Sequence, residues 1–115
     1  MVIETASSLP AADAMAVRAL AADVTSADGV APLSEQTLLW LDDDTAPVQH
    51  LLTRSSGALI GYGQLESAGE AEYAAELMVA PDRRRQGIGR ALLEAASGLA
   101  GAAQLRVWAH GAGAG

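Results

Sequence analysis

The stretch "VAPDRRRQGIGRALLEAA" (79–96) constrains the fold more than any other part of this chain. A β-type run, "EAEYAAELMVAP", stops at Pro81, which cannot donate to a ladder. Three arginines follow, then the closely spaced Gly87 and Gly89, and Ile88, Leu92, Ala95 and Leu99 recur at helical spacing, predicting one buried helix face. A strand that turns this tightly into an amphipathic helix belongs in a layered sheet-and-helix domain. The junction also directs unpaired backbone N–H groups one way, where the helix dipole adds partial positive charge. That arrangement is an anion cradle. A side chain at Gly87 or Gly89 would hold a phosphate away from the amides, whereas Arg85 and Arg90 can add charge-assisted hydrogen bonds, so the ligand expected is a pyrophosphate. Taken alone, the segment fits phosphate binding and an ordinary solvated turn equally well.

The remaining elements follow from periodicity. "VIETA" (2–6) reads as a short strand, and Val17, Leu20 and Val24 mark a helix on an alanine-rich background that "TSADGVAP" interrupts. Ser34 caps a second helix, which runs through Leu38, Leu39 and Leu41 and stops at the acidic "DDD". "VQHLLTRSSGALIGYGQLES" predicts a hairpin turning at "SSG", and "AQLRVWAHG" a last strand. The order is therefore strand, two helices, three strands, helix, strand: an α/β (α+β) sandwich with a mixed, mostly antiparallel sheet flanked by helices.

Charge narrows the partners. The chain has 115 residues, no cysteine, no lysine and a net charge of −7, yet four of its seven basic residues lie between Arg83 and Arg90. An extended nucleic-acid face is excluded by that balance, while a local polyanion site is not. The missing cysteines remove disulfides and thiolate chemistry and fit a reducing compartment. The opening "MVIETASSLP" has no basic stretch before an apolar run and no segment approaches a membrane span, so the expected location is cytoplasmic. His50 and His110 are far apart in sequence with no acidic cluster beside them, so no metal is expected.

The spacing is neither the P-loop nor the dinucleotide GxGxxG; it is RxxGxG, as Arg84, Gly87 and Gly89, after a strand ending "LMVAP". This resembles the coenzyme A signature of the GCN5-related N-acetyltransferase (GNAT) superfamily, whose fold has the same element order. The resemblance implies acetyl-CoA as cosubstrate, its pantetheine arm on Leu77, Met78 and Val79 and its phosphates on Arg85, Gln86, Gly87, Ile88, Gly89 and Arg90. "DGVAPLSEQ", "HLL", "LIGYGQL", "AELMVAPDRRRQGIG" and "WAHG" together are similar to the first half of the mycothiol synthase family, which acetylates the cysteinyl amine of a cysteine–glucosamine–inositol precursor (Cys-GlcN-Ins). That family carries two such repeats. The resemblance implies an incomplete amino-terminal GNAT domain over 1–110, lacking the last helix and strands, a flexible Gly/Ala tail at 111–115, and a second repeat as partner. A closing strand left as a bare sheet edge also suggests a truncated chain.

The same resemblance places Tyr73 where the active repeat has its base, and Glu35 where the polar substrate is held. Tyr73 is a poor base near neutral pH, since an unperturbed phenol has a pKa of about 10. Glu76 lies at an odd offset from Tyr73 along the strand, so it serves as base only if a bulge re-aims it; otherwise it is a strand-end acid facing solvent or an arginine. Glu35 has an ordinary reading as well, because an acid in a helix's first turn is favourable with or without a ligand. Trp40 and Trp108 are expected as core or boundary aromatics, and Tyr62 faces either the core or a substrate groove. Three functional readings stand: an acetyltransferase repeat of the mycothiol synthase kind, a non-catalytic coenzyme-binding repeat that supports its partner, and a GNAT enzyme for another small amine or a peptide N-terminus.

Overall fold

The structure, a computed structural model, describes residues 1–110. Strand β1 (Glu4–Ala6) is followed by helix α1 (Ala11–Asp28), the short helix α2 (Glu35–Leu39) and a 3₁₀ turn at Trp40–Asp42. Strands β2 (Val48–Ser55), β3 (Ala58–Gly69) and β4 (Glu72–Val79) come next, then a 3₁₀ turn at Pro81–Arg83, helix α3 (Ile88–Ala100) and strand β5 (Gln104–His110). The predicted order is the observed one. The sheet order is β1-β2-β3-β4-β5, antiparallel throughout except for the parallel pair β4–β5 that the α3 crossover creates. The tail at 111–115 and the side chain of His110 lie outside the described residues.

Strand parity assigns the two faces. Odd positions of β2, β3 and β4 point to α3: a Cβ on Gly61 would lie 2.8 Å from Ile88 and 3.2 Å from Leu92, and one on Gly63 would lie 2.7 Å from Leu77. Even positions point to α1 and α2, where the Gln64 amide reaches the Thr37 carbonyl. The core spans both faces, with Val17, Val24, Leu51, Tyr62, Met78 and Leu92 fully buried.

Three boundaries differ from the sequence reading. Helix α1 continues through "TSAD" to Asp28 because its stop is Gly29, whose φ of 77° closes the helix with an N–H to Thr25 O bond of 2.8 Å. Ser34 does cap α2, accepting from Thr37 N, but α2 is five residues long and tightens into the 3₁₀ turn before the aspartates. Helix α3 buries Ile88, Gly89, Leu92, Ala96 and Ala100, whereas Leu99 is 43% exposed and Ala95 only partly covered. The buried face is set by Ile88 and Leu92, which pack over Gly61 of β3, and it continues through Ala96 and Ala100.

Candidate coenzyme and acceptor sites

The turn between β4 and α3 is built from two left-handed residues. Arg85 has φ 65° and Gly87 φ 80°, with the helix beginning at Ile88 and its first intrahelical bond running from Ala91 N to Gly87 O. Among the described residues the first helical N–H groups, those of Ile88, Gly89 and Arg90, have no acceptor, as a helix start requires. Arg85, Gln86 and Arg90 are exposed, and Arg83, Arg85 and Arg90 make no ion pair among the described residues. Free positive charge therefore surrounds a helix N-terminus that already attracts anions.

Arg84, the first residue of the RxxGxG pattern, behaves differently. Its guanidinium makes two parallel bonds to Asp28 at the end of α1, Nη1 to Oδ1 at 2.8 Å and Nη2 to Oδ2 at 2.7 Å. It ties the turn to α1 instead of pointing at a ligand.

Leu77, Met78 and Val79 are fully buried at the end of β4. Leu77 and Met78 pair in register with Ala109 and His110 of β5, and Val79 is the first β4 residue beyond that ladder among the described residues. Toward the opposite end of β4 lies a groove of about 590 Å³, between the Ala31–Ser34 loop, β3, β4 and β5. Glu66, Glu72 and Glu76 line it with Tyr73, Arg106 and Trp108, so carboxylates outnumber the single guanidinium three to one. Trp108, expected in the core or at its boundary, is 53% exposed there, so it is not a core residue: β5 turns its even positions into the open groove.

Glu76 reaches this groove on a regular strand, since the register irregularities fall at Thr53/Arg54 and Ser67/Gly69 and not beside it. Its Oε1 accepts the Ser34 N–H at 2.7 Å, fixing the loop at the start of α2. Glu66 has its carboxyl pushed above the usual carboxylate range, first by desolvation and then by the charge of Glu76. Glu35 is exposed at the first turn of α2, and its neighbours Ser34 and Gln36 line the groove. The structure thus sets Glu76 in the groove while strand parity turns Tyr73 to the opposite, α3 face of β4; Glu35 adjoins groove residues without lining it, and Arg85–Arg90 lie at a separate turn.

Beneath the groove a polar chain enters the core. Gln64 Nε2 donates to Thr37 O at 3.1 Å and to Tyr62 Oη at 3.0 Å, and Tyr62 Oη stands 2.6 Å from His50 Nδ1. Tyr62 therefore belongs to the core. Burial raises its phenol well above the ordinary value and lowers His50 below its own.

Residues 39–113 match the acetyltransferase (GNAT) domain family. The chain belongs to the GNAT acetyltransferase family. This GNAT domain is 49% identical over 111 residues to the mycothiol acetyltransferase of Sanguibacter keddieii, covering 95% of the chain and 35% of that protein. It is 47% identical over 111 residues to that of Cellulomonas flavigena, covering 90% of the chain and 32% of that protein. The chain thus spans about a third of the length of these relatives. Among solved structures, a GNAT family acetyltransferase of Streptococcus pneumoniae superposes with TM-score 0.69 at 21% identity, covering 92% of this chain and 73% of that one. The ribosomal-protein-S18-alanine N-acetyltransferase of Escherichia coli gives TM-score 0.63 at 22% identity, covering 86% and 59%. The GNAT fold is the shared feature at that identity.

Two parts of the GNAT domain's site escape sequence reasoning. Asp28 pairs with a residue 56 positions away, and Glu66 joins Glu76 only through β3–β4 pairing. The available signal for Glu66 was parity: Gln64, Glu66, Ala74 and Glu76 share the even face. Among the described residues no helix is long and apolar enough to cross a membrane.

Proposed function

We propose that this chain is an acetyl-CoA-binding acetyltransferase domain, the amino-terminal repeat of a protein that acetylates the cysteinyl amine of Cys-GlcN-Ins to form mycothiol. The observation that carries this reading is the turn of Arg85 and Gly87 between β4 and α3, where Arg85, Arg90 and the helix-start amides have no partner among the described residues. Amides 85–90 hold the diphosphate and Arg85 and Arg90 neutralise it. The pantetheine arm lies along β4 from Val79 toward Met78 and Leu77, so the β4–β5 ladder opens from its end to admit it. The acidic groove receives the acceptor, a small amine whose ammonium is attracted by Glu66, Glu72 and Glu76, with Glu35 at the rim for its polar groups. Domain boundaries of 1–110, a cytoplasmic location and a second repeat as partner belong to the same reading, the last supported by the chain spanning about a third of the mycothiol acetyltransferase relatives.

Amine acetylation needs a base for the ammonium proton and stabilisation of the developing oxyanion. One observation favours the non-catalytic reading for this repeat: Glu76 is already engaged by the Ser34 amide, while the family resemblance puts Tyr73, a poor base, at the base position. Calorimetry with acetyl-CoA and a thiol-release assay with the cysteinyl substrate separate the two. Binding without release supports a coenzyme-holding repeat, release by the chain alone supports catalysis, and no binding overturns both.

A further inference from the structure

Arg85 is a non-glycine residue at φ 65°, a conformation that side chains with a Cβ adopt rarely and that persists only where neighbours over-determine it. The residue just before it is the best-anchored in the turn. Arg84 is extended at φ −71°, ψ 156°, and its guanidinium is locked by the two-point bond to Asp28, with both side chains about three-quarters buried. The turn's start is held by Ala80 N to Ile60 O at 2.8 Å and Arg83 N to Ala80 O at 2.9 Å. On the other side Gly87 takes its own left-handed conformation freely. Arg85 therefore lies between a clamped neighbour and, beyond Gln86, a permissive glycine.

Asp28 in turn occupies an awkward place. It is the last residue of α1, where the helix dipole disfavours an acid and no basic residue lies in the same turn. The Arg84 fork supplies the compensating charge from across the molecule.

We propose that Asp28 is a positioning residue for the coenzyme turn: by gripping Arg84 it keeps Arg85 left-handed, so that the amides that follow are presented together to the diphosphate. The proposal rests on the reading of this turn as the coenzyme site. Arg84 then serves as a strut and not as a phosphate ligand.

The test is acetyl-CoA affinity by calorimetry across a set of folded variants, each checked by its thermal melt. Asp28→Ala weakens binding by about tenfold, the scale of losing one charge-assisted interaction. Arg84→Met has a similar effect, and the double variant adds less than about threefold to either single one. In the Arg85→Gly background, where the left-handed turn costs nothing, Asp28→Ala weakens binding by less than about threefold. Unchanged or tighter binding by Asp28→Ala, as expected if Arg84 were freed to grip phosphate, overturns the proposal while leaving the coenzyme reading intact. An equal loss in both backgrounds also overturns it, since Asp28 would then act by another route. No binding by the unsubstituted chain overturns the coenzyme reading and the proposal together.

Discussion

His50 shows how one buried residue sets a pH response. Tyr62 Oη accepts the Gln64 amide proton, so its own O–H is free to donate to His50 Nδ1, which places the imidazole proton on Nε2. That nitrogen is buried without a partner among the described residues. Desolvation lowers the folded-state pKa of His50 below the unfolded value, so between the two the unfolded chain binds more protons. Stability from this group is complete above about pH 6.5, the unfolded pKa, and falls as pH drops toward the folded one. Thermal melts from pH 7.5 to 5 should show a decline in the native protein that is smaller in His50→Gln; identical slopes would contradict this. Tyr62→Phe removes the donor to His50 and an acceptor for Gln64, so it should cost about 1–3 kcal/mol by denaturant unfolding. Alternation in β3 grouped Tyr62 with Gln64, yet it could not say which face was the core. His50, which decides it, lies on another strand.

Helix α3 owes its position to the glycines beneath it. A methyl on Gly61 would meet the branched Ile88 Cγ2 at 2.8 Å and Thr53 Cγ2 at 3.0 Å, both close to their backbones and unable to move far. Gly61→Ala should therefore destabilise the protein by about 1–3 kcal/mol through overpacking, measured by chemical denaturation. The existence, type and order of the elements were legible because the apolar periods are clear and Pro81, Gly57 and Gly29 mark the breaks. The buried face of α3 was not, because in an alanine-rich helix hydrophobicity marks Leu99, whereas burial falls on Ala96 and Ala100. The strand–turn–helix junction with its left-handed Gly87 was readable from its residues. The role of Arg84 was not, because its partner is an acid that looks like an ordinary solvated helix end until the chain is folded.

At the scale of the whole molecule, the proposed function requires a chain with net charge −7 to bind a polyanionic coenzyme against its own field. Locally, Arg83, Arg85 and Arg90, without ion pairs among the described residues, concentrate positive charge at one turn. Arg85→Ala and Arg90→Ala should each weaken acetyl-CoA binding by about fivefold to twentyfold, with the difference from the unsubstituted chain shrinking as salt is raised. The same charge separation divides the labour of the fold: cations gather at the turn after β4 and carboxylates line the groove at the strand's other end. The central claim is that the coenzyme's diphosphate sits on the main chain at residues 85–90. It is tested most directly by following backbone amide resonances while acetyl-CoA is added. The account predicts the largest shifts at 85–90, with smaller ones running back along β4 from Val79. A saturable titration that left those amides unmoved, or shifted the groove residues alone, would contradict it.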